Sequence, residues 1–400
     1  MKDILLIAHF THVPGEAGNS RFNYIAKKIN KEKTTVEVVT TSFSHRTKKE
    51  RKVSIEQKRT IDYKLTMLEE PGYNANISFR RFYSHYVFSK NLNKYLRNRK
   101  KPDLIYCAVP SLDAAYVAAK YARKNDIKFI IDVQDLWPEA FKMIFKIPIL
   151  SDVVFFPLMK KANYIYSIAD EIVAVSQTYL ERALRVNKDC PKAYSVYLGT
   201  ELDYFDSIAK KNKVKSKPES EVWLVYIGTL GHSYDLYSVI DALKILKDKG
   251  VTNLKFILMG DGPLRSKYES YAKSKGIISH FTGRLEYSKM VEILTVCDIA
   301  VNPIRSGSAG SIINKVGDYA AAGLPVLNTQ DSKEYRDLID TFNAGINCDS
   351  GNSKKLAEKL ILLYENSELR RIKGENNRKL AEIKFDREKT YQSIIKSLSN

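Results

Sequence analysis

EVWLVYIGTLGHSYDL (Glu221–Leu236) decides the fold. Its apolar run, Val222 to Ile227, is unbroken until Gly228, and a polar turn with a second glycine, Gly231, follows. A run apolar at every position is buried on both faces, as strands are in a parallel sheet covered by helices. Similar runs recur downstream in LKFILMG (Leu254–Gly260), CDIAVNP (Cys297–Pro303) and LPVLNT (Leu324–Thr329). Upstream they occur in DILLIAH (Asp3–His9), TVEVVTT (Thr35–Thr41), DLIYCAV (Asp103–Val109), KFIIDV (Lys128–Val133) and EIVAVS (Glu171–Ser176). Amphipathic segments such as SLDAAYVAAKYARKN (Ser111–Asn125) lie between several of them.

The polar, proline-bearing IAKKNKVKSKPESE (Ile208–Glu221) separates the two series and reads as a linker. The expected fold is α/β: two Rossmann-like, doubly wound parallel-sheet domains facing a cleft, residues 1–207 and 222–383, joined by 208–221. In such sheets ligands sit beyond the carboxyl ends of the strands.

The chain has 400 residues, enough for two packed cores. The N-terminal MKDILLIAHF is too short in apolar length for a signal peptide. FKMIFKIPILSDVVFFPLM (Phe141–Met159) is interrupted by Lys146, Pro148 and Asp152, which makes it a poor membrane span. The four cysteines show neither pairing nor metal spacing, consistent with a reducing cytosol. Net charge is +19. Between Arg21 and Lys101 there are 21 basic against 7 acidic residues, interleaved with aromatics in SFRRFYSHYVFSKNLNKYLRNRKK. Such a face suits a polyanion. No nucleic-acid-binding module accompanies it, so an anionic membrane surface is the expected partner.

The strand-end loops carry the candidate chemistry. HFTHVPGEAGNSRF lacks the G-x-G-x-x-G of a dinucleotide fold. There Gly15 and Gly18 bracket a turn, Asn19 or Ser20 caps the next helix, and Arg21 enters its first turn; this is either a ligand loop or a plain turn. IIDVQDLWPEAF places Asp135 and Trp137 past a strand end, where Asp135 either orients a hydroxyl acceptor or caps the following helix. Gly228, His232 and Ser233, then Gly260 and Gly262, then Arg284 follow three strands of the second series.

GSAGSIINKVGDYAAAGLP (Gly307–Pro325) reads as a helix opening at Ser308 or Ser311. The spacing puts Ser311, Lys315 and Asp318 on one face. Loop amides around Ser308 and Gly310, with Lys315 one turn in, suit a diphosphate, and Asp318 suits the hydroxyls of a ribose. The alternative is a local Lys315–Asp318 ion pair.

NKVGDYAAAGLPVLNT, with YIGTLGHSYDL, GDGPLRSKYE and PDLIYCAVPSLDAA, resembles the family 4 retaining glycosyltransferases of the GT-B fold. The similarity is greatest to the bacterial branch that builds capsule, exopolysaccharide and O-antigen units, and it runs over nearly the whole chain. It implies a UDP-sugar, or another nucleotide sugar, held by the second domain, with Lys315 catalytic; Asp135, read from its strand end as a base, is the other catalytic candidate. It also implies an acceptor, a polyprenyl-diphosphate-linked saccharide, held by the first domain near Arg21 and Trp137. A last helix, about 384–400, would pack back on the first domain. No cofactor and no metal are implied, and the enzyme would be a cytoplasmic hexosyl- or N-acetylhexosaminyltransferase, peripheral on the inner membrane face. The first of the family's two motif glutamates is replaced here by Gly310, and the second position is Asp318. An Arg and a Lys after the first strand of the second domain are replaced by Thr229 and GHSYD. Two rivals stand beside this reading: a nucleotide-sugar epimerase of the same fold, and a basic nucleic-acid-binding protein.

Overall fold

The computed structural model describes residues 1–16, 20–29, 31–76, 78–142, 148–211, 217–308 and 311–400, with the side chains of 142 and 148–152 left aside. The chain forms two units, Met1–Val196 with Tyr391–Asn400, and Tyr197–Thr390.

The first unit contains β1 (Lys2–Ile7), β2 (Thr34–Thr41), β3 (Phe43–Ser44), β4 (Lys49–Glu50), β5 (Lys64–Leu68), β6 (Leu104–Val109), β7 (Lys128–Val133), β8 (Glu171–Ala174) and β9 (Ala193–Ser195). Seven of these make a parallel sheet ordered β5-β2-β1-β6-β7-β8-β9, while β3 and β4 pair as a small antiparallel ribbon. The chain grows from β1 to β2 on one side and from β1 to β6 on the other, so the order reverses between β1 and β6. The helix Gln392–Ser399 at the end of the chain lays Ile394 and Leu398 into this unit's core, beside Ile4, Leu6 and Ile25.

The second unit contains β10 (Val222–Ile227), β11 (Leu254–Met259), β12 (Ser279–Gly283), β13 (Ile299–Asn302), β14 (Val326–Asn328) and β15 (Gly345–Asn347). They form one parallel sheet ordered β12-β11-β10-β13-β14-β15. Alternate residues feed two different cores. Leu224, Tyr226, Phe256, Leu258, Ile299 and Val301 point to one, and Val225, Ile257, Met259 and Ala300 to the other. A strand sandwiched in this way has no polar face, which is why its sequence is unbroken apolar. Here the order reverses between β10 and β13.

The division between units falls earlier than the expected 207. The helix Leu202–Lys210 belongs to the second unit because Leu202 and Phe205 are buried in that unit's core. The stretch read as a linker from 208 therefore begins inside a helix. Part of it, 212–216, lies outside the described residues.

Candidate functional site

Both order reversals bring two strand-end loops together, as doubly wound sheets do. In the second unit, the loop after β10 meets the loop after β13. Asp235 N–H donates to the Pro303 carbonyl (2.8 Å), and Arg305 N–H donates to the Ser233 carbonyl (3.1 Å). Beside this junction begins the helix Lys315–Ala321, seven residues long. The expected start at Ser308 or Ser311 is corrected. Ile313 and Asn314 carbonyls accept only tight-turn bonds from Val316 and Gly317, and the segment before them is loop. Lys315 is thus the first helical residue rather than one turn in.

Lys315 is 8% exposed. Its ammonium lies 4.0 Å from the centre of the Tyr226 ring and 3.9 Å from that of Tyr234, with no hydrogen-bond partner. Two aromatic faces are a favourable but incomplete replacement for water around a cation. Burial alone drives its pKa well below the ordinary lysine value. A side chain at Gly228, where φ is +136°, would place its Cβ 2.8 Å from the Lys315 Nζ, so glycine keeps that approach open. Among the described residues of the second unit, the buried side-chain polar atoms without a partner are Asn302 Oδ1, Ser311 Oγ and Lys315 Nζ. All three lie in one segment of fourteen positions at the end of β13. Buried polar groups are satisfied almost everywhere else in proteins, so a local cluster of orphans marks a place completed by something else.

Lys315 and Asp318 do not pair. Asp318 Oδ1 accepts from the Tyr287 hydroxyl (2.9 Å) and from Thr200 Oγ1 (3.1 Å), and burial raises its pKa against those donors. The loop amides are also partly committed. Asp331 Oδ2 accepts from Gly307 N–H (3.0 Å) and Ser306 Oγ (2.7 Å), and Ser308 N–H goes to the Arg305 carbonyl. The expectation of a row of open amides there is corrected accordingly; Gly310 lies outside the described residues. Beneath the loop is an amide ladder that sequence reading missed. Asn302 donates to Asn328 Oδ1 and Gln330 Oε1, Asn328 donates to Asn347 Oδ1, and Gln330 Nε2 donates to the Ser311 carbonyl at 2.7 Å.

His232 and Ser233 are exposed on the loop after β10, and Arg284 is exposed after β12. Gly260 and Gly262 have an internal reason to be glycine. A Cβ at either would fall 1.9 Å from the Gly228 carbonyl oxygen or 2.4 Å from that of Leu230. These two residues shape the neighbouring loop.

In the first unit the loops after β1 and β6 meet at His9, whose Nδ1 is 2.6 Å from Ser111 Oγ and whose Nε2 is 3.0 Å from Glu70 Oε1. Three expectations fail here. Arg21 is 2% exposed and pairs with Asp132 (2.7 Å), which also accepts from Tyr106, so it is a core ion pair and not an acceptor contact. Asp135 accepts from Leu136 N–H (2.9 Å), Trp137 Nε1 (3.2 Å) and the Tyr179 hydroxyl (3.4 Å). Its carboxylate fixes Trp137, which leaves little of it for a hydroxyl acceptor, and it does not cap the helix at Glu139–Lys142. Gly15, at φ +89°, makes room for Gln57, with a Cβ there falling 2.2 Å from the Gln57 amide nitrogen. Gly18 and Asn19 lie outside the described residues, and Ser20 caps the helix Arg21–Lys28. Trp137 is buried under Arg81 and His85. No group of three or more His, Cys, Asp or Glu among the described residues is placed to hold a metal ion.

Residues 207–380 match the family described as Glycosyl transferases group 1. The matched segment lies within the second unit, which holds Asn302, Ser311 and Lys315. The chain is 26% identical over 253 residues to an uncharacterized glycosyltransferase, MJ1069, of Methanocaldococcus jannaschii, covering 61% of this chain and 60% of that protein. A Campylobacter jejuni relative is 28% identical over 130 residues, covering 28% of this chain and 36% of its own length. Its name is GalNAc-alpha-(1->4)-GalNAc-alpha-(1->3)-diNAcBac-PP-undecaprenol alpha-1,4-N-acetyl-D-galactosaminyltransferase. The fold is similar to that of Anabaena Alr3699/HepE, solved in complex with UDP, with TM-score 0.70, 15% identity and complete coverage of both chains. The fold is GT-B, and the second unit is similar over residues 207–380 to the group 1 glycosyl transferases.

Proposed function

We propose that this chain is a retaining glycosyltransferase that moves a sugar from a nucleotide-sugar donor, a UDP-sugar, to a lipid-linked saccharide in cell-surface polysaccharide assembly. The observation that carries the reading is the orphan set Asn302, Ser311 and Lys315, which includes an uncompensated buried cation. For Lys315 and the Ser311 hydroxyl a diphosphate supplies the missing counter-charge and acceptor oxygens together, while Asn302 Oδ1, itself an acceptor, calls for a donor. Lys315 then bonds to the leaving diphosphate as charge develops on it. The second oxygen of Asp318 contacts ribose hydroxyls, and the exposed His232, Ser233 and Arg284 frame the donor. In the retaining route the departing phosphate takes the acceptor proton, so no protein nucleophile is needed. The family match and the UDP held by a similar fold support the donor class, and the name of the Campylobacter relative supports the acceptor class.

Thermal melting with UDP, GDP and dTDP tests the reading. The matching nucleotide at about 100 times its dissociation constant should stabilise by about 2.7 kcal/mol. No shift with any of the three would count against a nucleotide-sugar site.

The membrane surface is the proposed second partner. No helix among the described residues is long and apolar enough to cross a membrane. The helix Phe79–Asn98 exposes Phe79, Tyr83 and Tyr86 with Arg80, Lys90 and Lys94, and the helix Pro148–Ser167 exposes Val153, Val154 and Phe156 with Lys160. Ring contacts from Phe82 through Phe141 to Phe155 tie the two helices together. Apolar side chains among exposed cations suit an anionic leaflet, at about 1 kcal/mol per basic residue. Co-sedimentation should require phosphatidylglycerol and weaken with salt. Replacing Val153, Val154 and Phe156 by serine should reduce it several-fold, and equal binding to neutral vesicles would refute the idea.

A further inference from the structure

The first unit holds a cationic cluster that none of the roles above uses. It lies at the carboxyl ends of that unit's strands. Arg81 and His85 stand one turn apart on the helix Phe79–Asn98, Lys48 lies in the turn joining β3 to β4, and Trp137 and Tyr73 pack against them. The Arg81 guanidinium sits 4.6 Å from the Trp137 ring centre and 5.7 Å from that of Tyr73. The imidazole of His85 stacks parallel to Trp137 at 5.8 Å, and Lys48 Nζ is 4.6 Å from the Tyr73 ring centre.

Two nitrogens in this cluster are buried and unsatisfied: Arg81 Nε and His85 Nε2. Their residues are 8% and 3% exposed, and at i and i+4 they lie on one helix face. The hydrogen bonds that the cations do make go to neutral acceptors. Arg81 Nη1 donates to the Asn76 carbonyl (2.7 Å), and Lys48 donates to Asn76 Oδ1 (2.5 Å). The nearby carboxylates are already engaged: Glu70 by His9, Thr41 and Ser84, and Asp135 by Leu136, Trp137 and Tyr179. Lys48 also adopts a left-handed backbone, φ 58°, which a residue with a side chain takes only when its surroundings hold it there.

We propose that Arg81, Lys48 and His85 form a phosphoryl-binding pocket in the first unit, with Trp137 and Tyr73 as its apolar walls. Two cations that repel each other, partly offset by the already engaged Glu70 and Asp135 acting on Arg81, call for a multiply charged anion. A guanidinium with an unused N–H beside an imidazole nitrogen offers the directed donors that phosphoryl oxygens accept. Burial and, after it, mutual repulsion lower the pKa values within the cluster. Burial, followed by Arg81, pulls Lys48 down to about 8, and burial with Lys48 and Arg81 pulls His45 down to about 4. The half-buried Lys48 and the exposed Asn76 mark the side from which a ligand enters. Together with the proposed function, the pocket takes a phosphoryl group carried by the acceptor; the anion site itself stands without that reading.

Trp137 is the reporter. The chain has two tryptophans, and Trp223 lies in the second unit with its indole bonded to Glu221. In full-length protein carrying Trp223→Phe, emission from Trp137 should change saturably with inorganic pyrophosphate and with geranyl diphosphate. Tighter binding of geranyl diphosphate would assign the pocket to a prenyl-linked acceptor, and equal binding to a free phosphate species. Arg81→Gln should weaken both on the order of tenfold or more, and the milder Lys48→Gln, at a half-buried position, should do so while leaving the melting curve intact. Lys315→Ala should leave this signal unchanged while removing the UDP-induced thermal shift, which separates the two sites. No emission change at millimolar pyrophosphate, unaltered affinity in Lys48→Gln, or equal binding of citrate would overturn the assignment.

Discussion

Lys315→Met is expected to abolish sugar transfer while making the ligand-free protein more stable. Both effects come from one cause. The ammonium is buried between Tyr226 and Tyr234 without an acceptor, and leaving a buried charged group unsatisfied costs about 1–3 kcal/mol or more. Methionine fills similar volume without the charge, so the melting temperature should rise by a few degrees, at ~2–4 °C per kcal/mol for a unit of this size. Turnover should fall by at least the ~10²–10³ that loss of one donor to a developing anion costs. The sign of the pH dependence follows from the lowered folded pKa. Between that value and the unfolded lysine value of about 10.4, the unfolded chain holds a proton that the folded chain lacks. Stability of the ligand-free wild type therefore rises with pH across that window, and the methionine variant loses the slope. Diphosphate binding favours the charged amine, so it should take up protons above the folded pKa and weaken as pH rises. Calorimetry in two buffers of different ionisation enthalpy reads that uptake. A variant that is less stable and still active would place the diphosphate elsewhere.

The second large effect is expected from ending the chain at Thr390. Tyr391, Ile394 and Leu398 are each fully buried in the first unit, and Arg21 lies 4.8 Å from the centre of the Tyr391 ring. Removing three such side chains forfeits about 1.5–3 kcal/mol apiece before any cavity cost. The total is comparable to the ~5–15 kcal/mol by which a domain is stable at all. The first unit should lose cooperative melting and become protease-sensitive, while fragments from the second unit persist. A truncated chain that melts like the intact one would show that these contacts contribute little.

What the sequence made legible follows from burial. β1, β2, β6, β7, β8, β10, β11, β13 and β14 are interior strands and read as apolar runs. The four not anticipated in the two sheets, β5, β9, β12 and β15, are the edges. β5, β9 and β12 alternate or are half-exposed, and β15 has three residues, so no long apolar run marks them. At the site, Lys315 stood out because a lysine on an otherwise core-facing helix is anomalous. Tyr226 and Tyr234 did not, since nothing in their spacing from Lys315 announces that the three meet. Arg21 was misread for a related reason. Arg21 meets Asp132, 111 positions away, and a pairing at that distance leaves no local trace. Arg81 and His85 were visible only as part of a basic aromatic stretch, and folding separates its solvent-facing members from the two that turn inward beside Tyr73.

The ladder of Asn302, Asn328, Gln330 and Asn347 has a further consequence. Side-chain amides carry no net charge and do not ionise at any pH the protein survives. The foundation under the loop at Ser311 is therefore indifferent to acidity, and it brings no net charge against an incoming polyanion. Acid–base control at that end of the second sheet falls instead to ionisable groups around the ladder, Asp331 and Lys315.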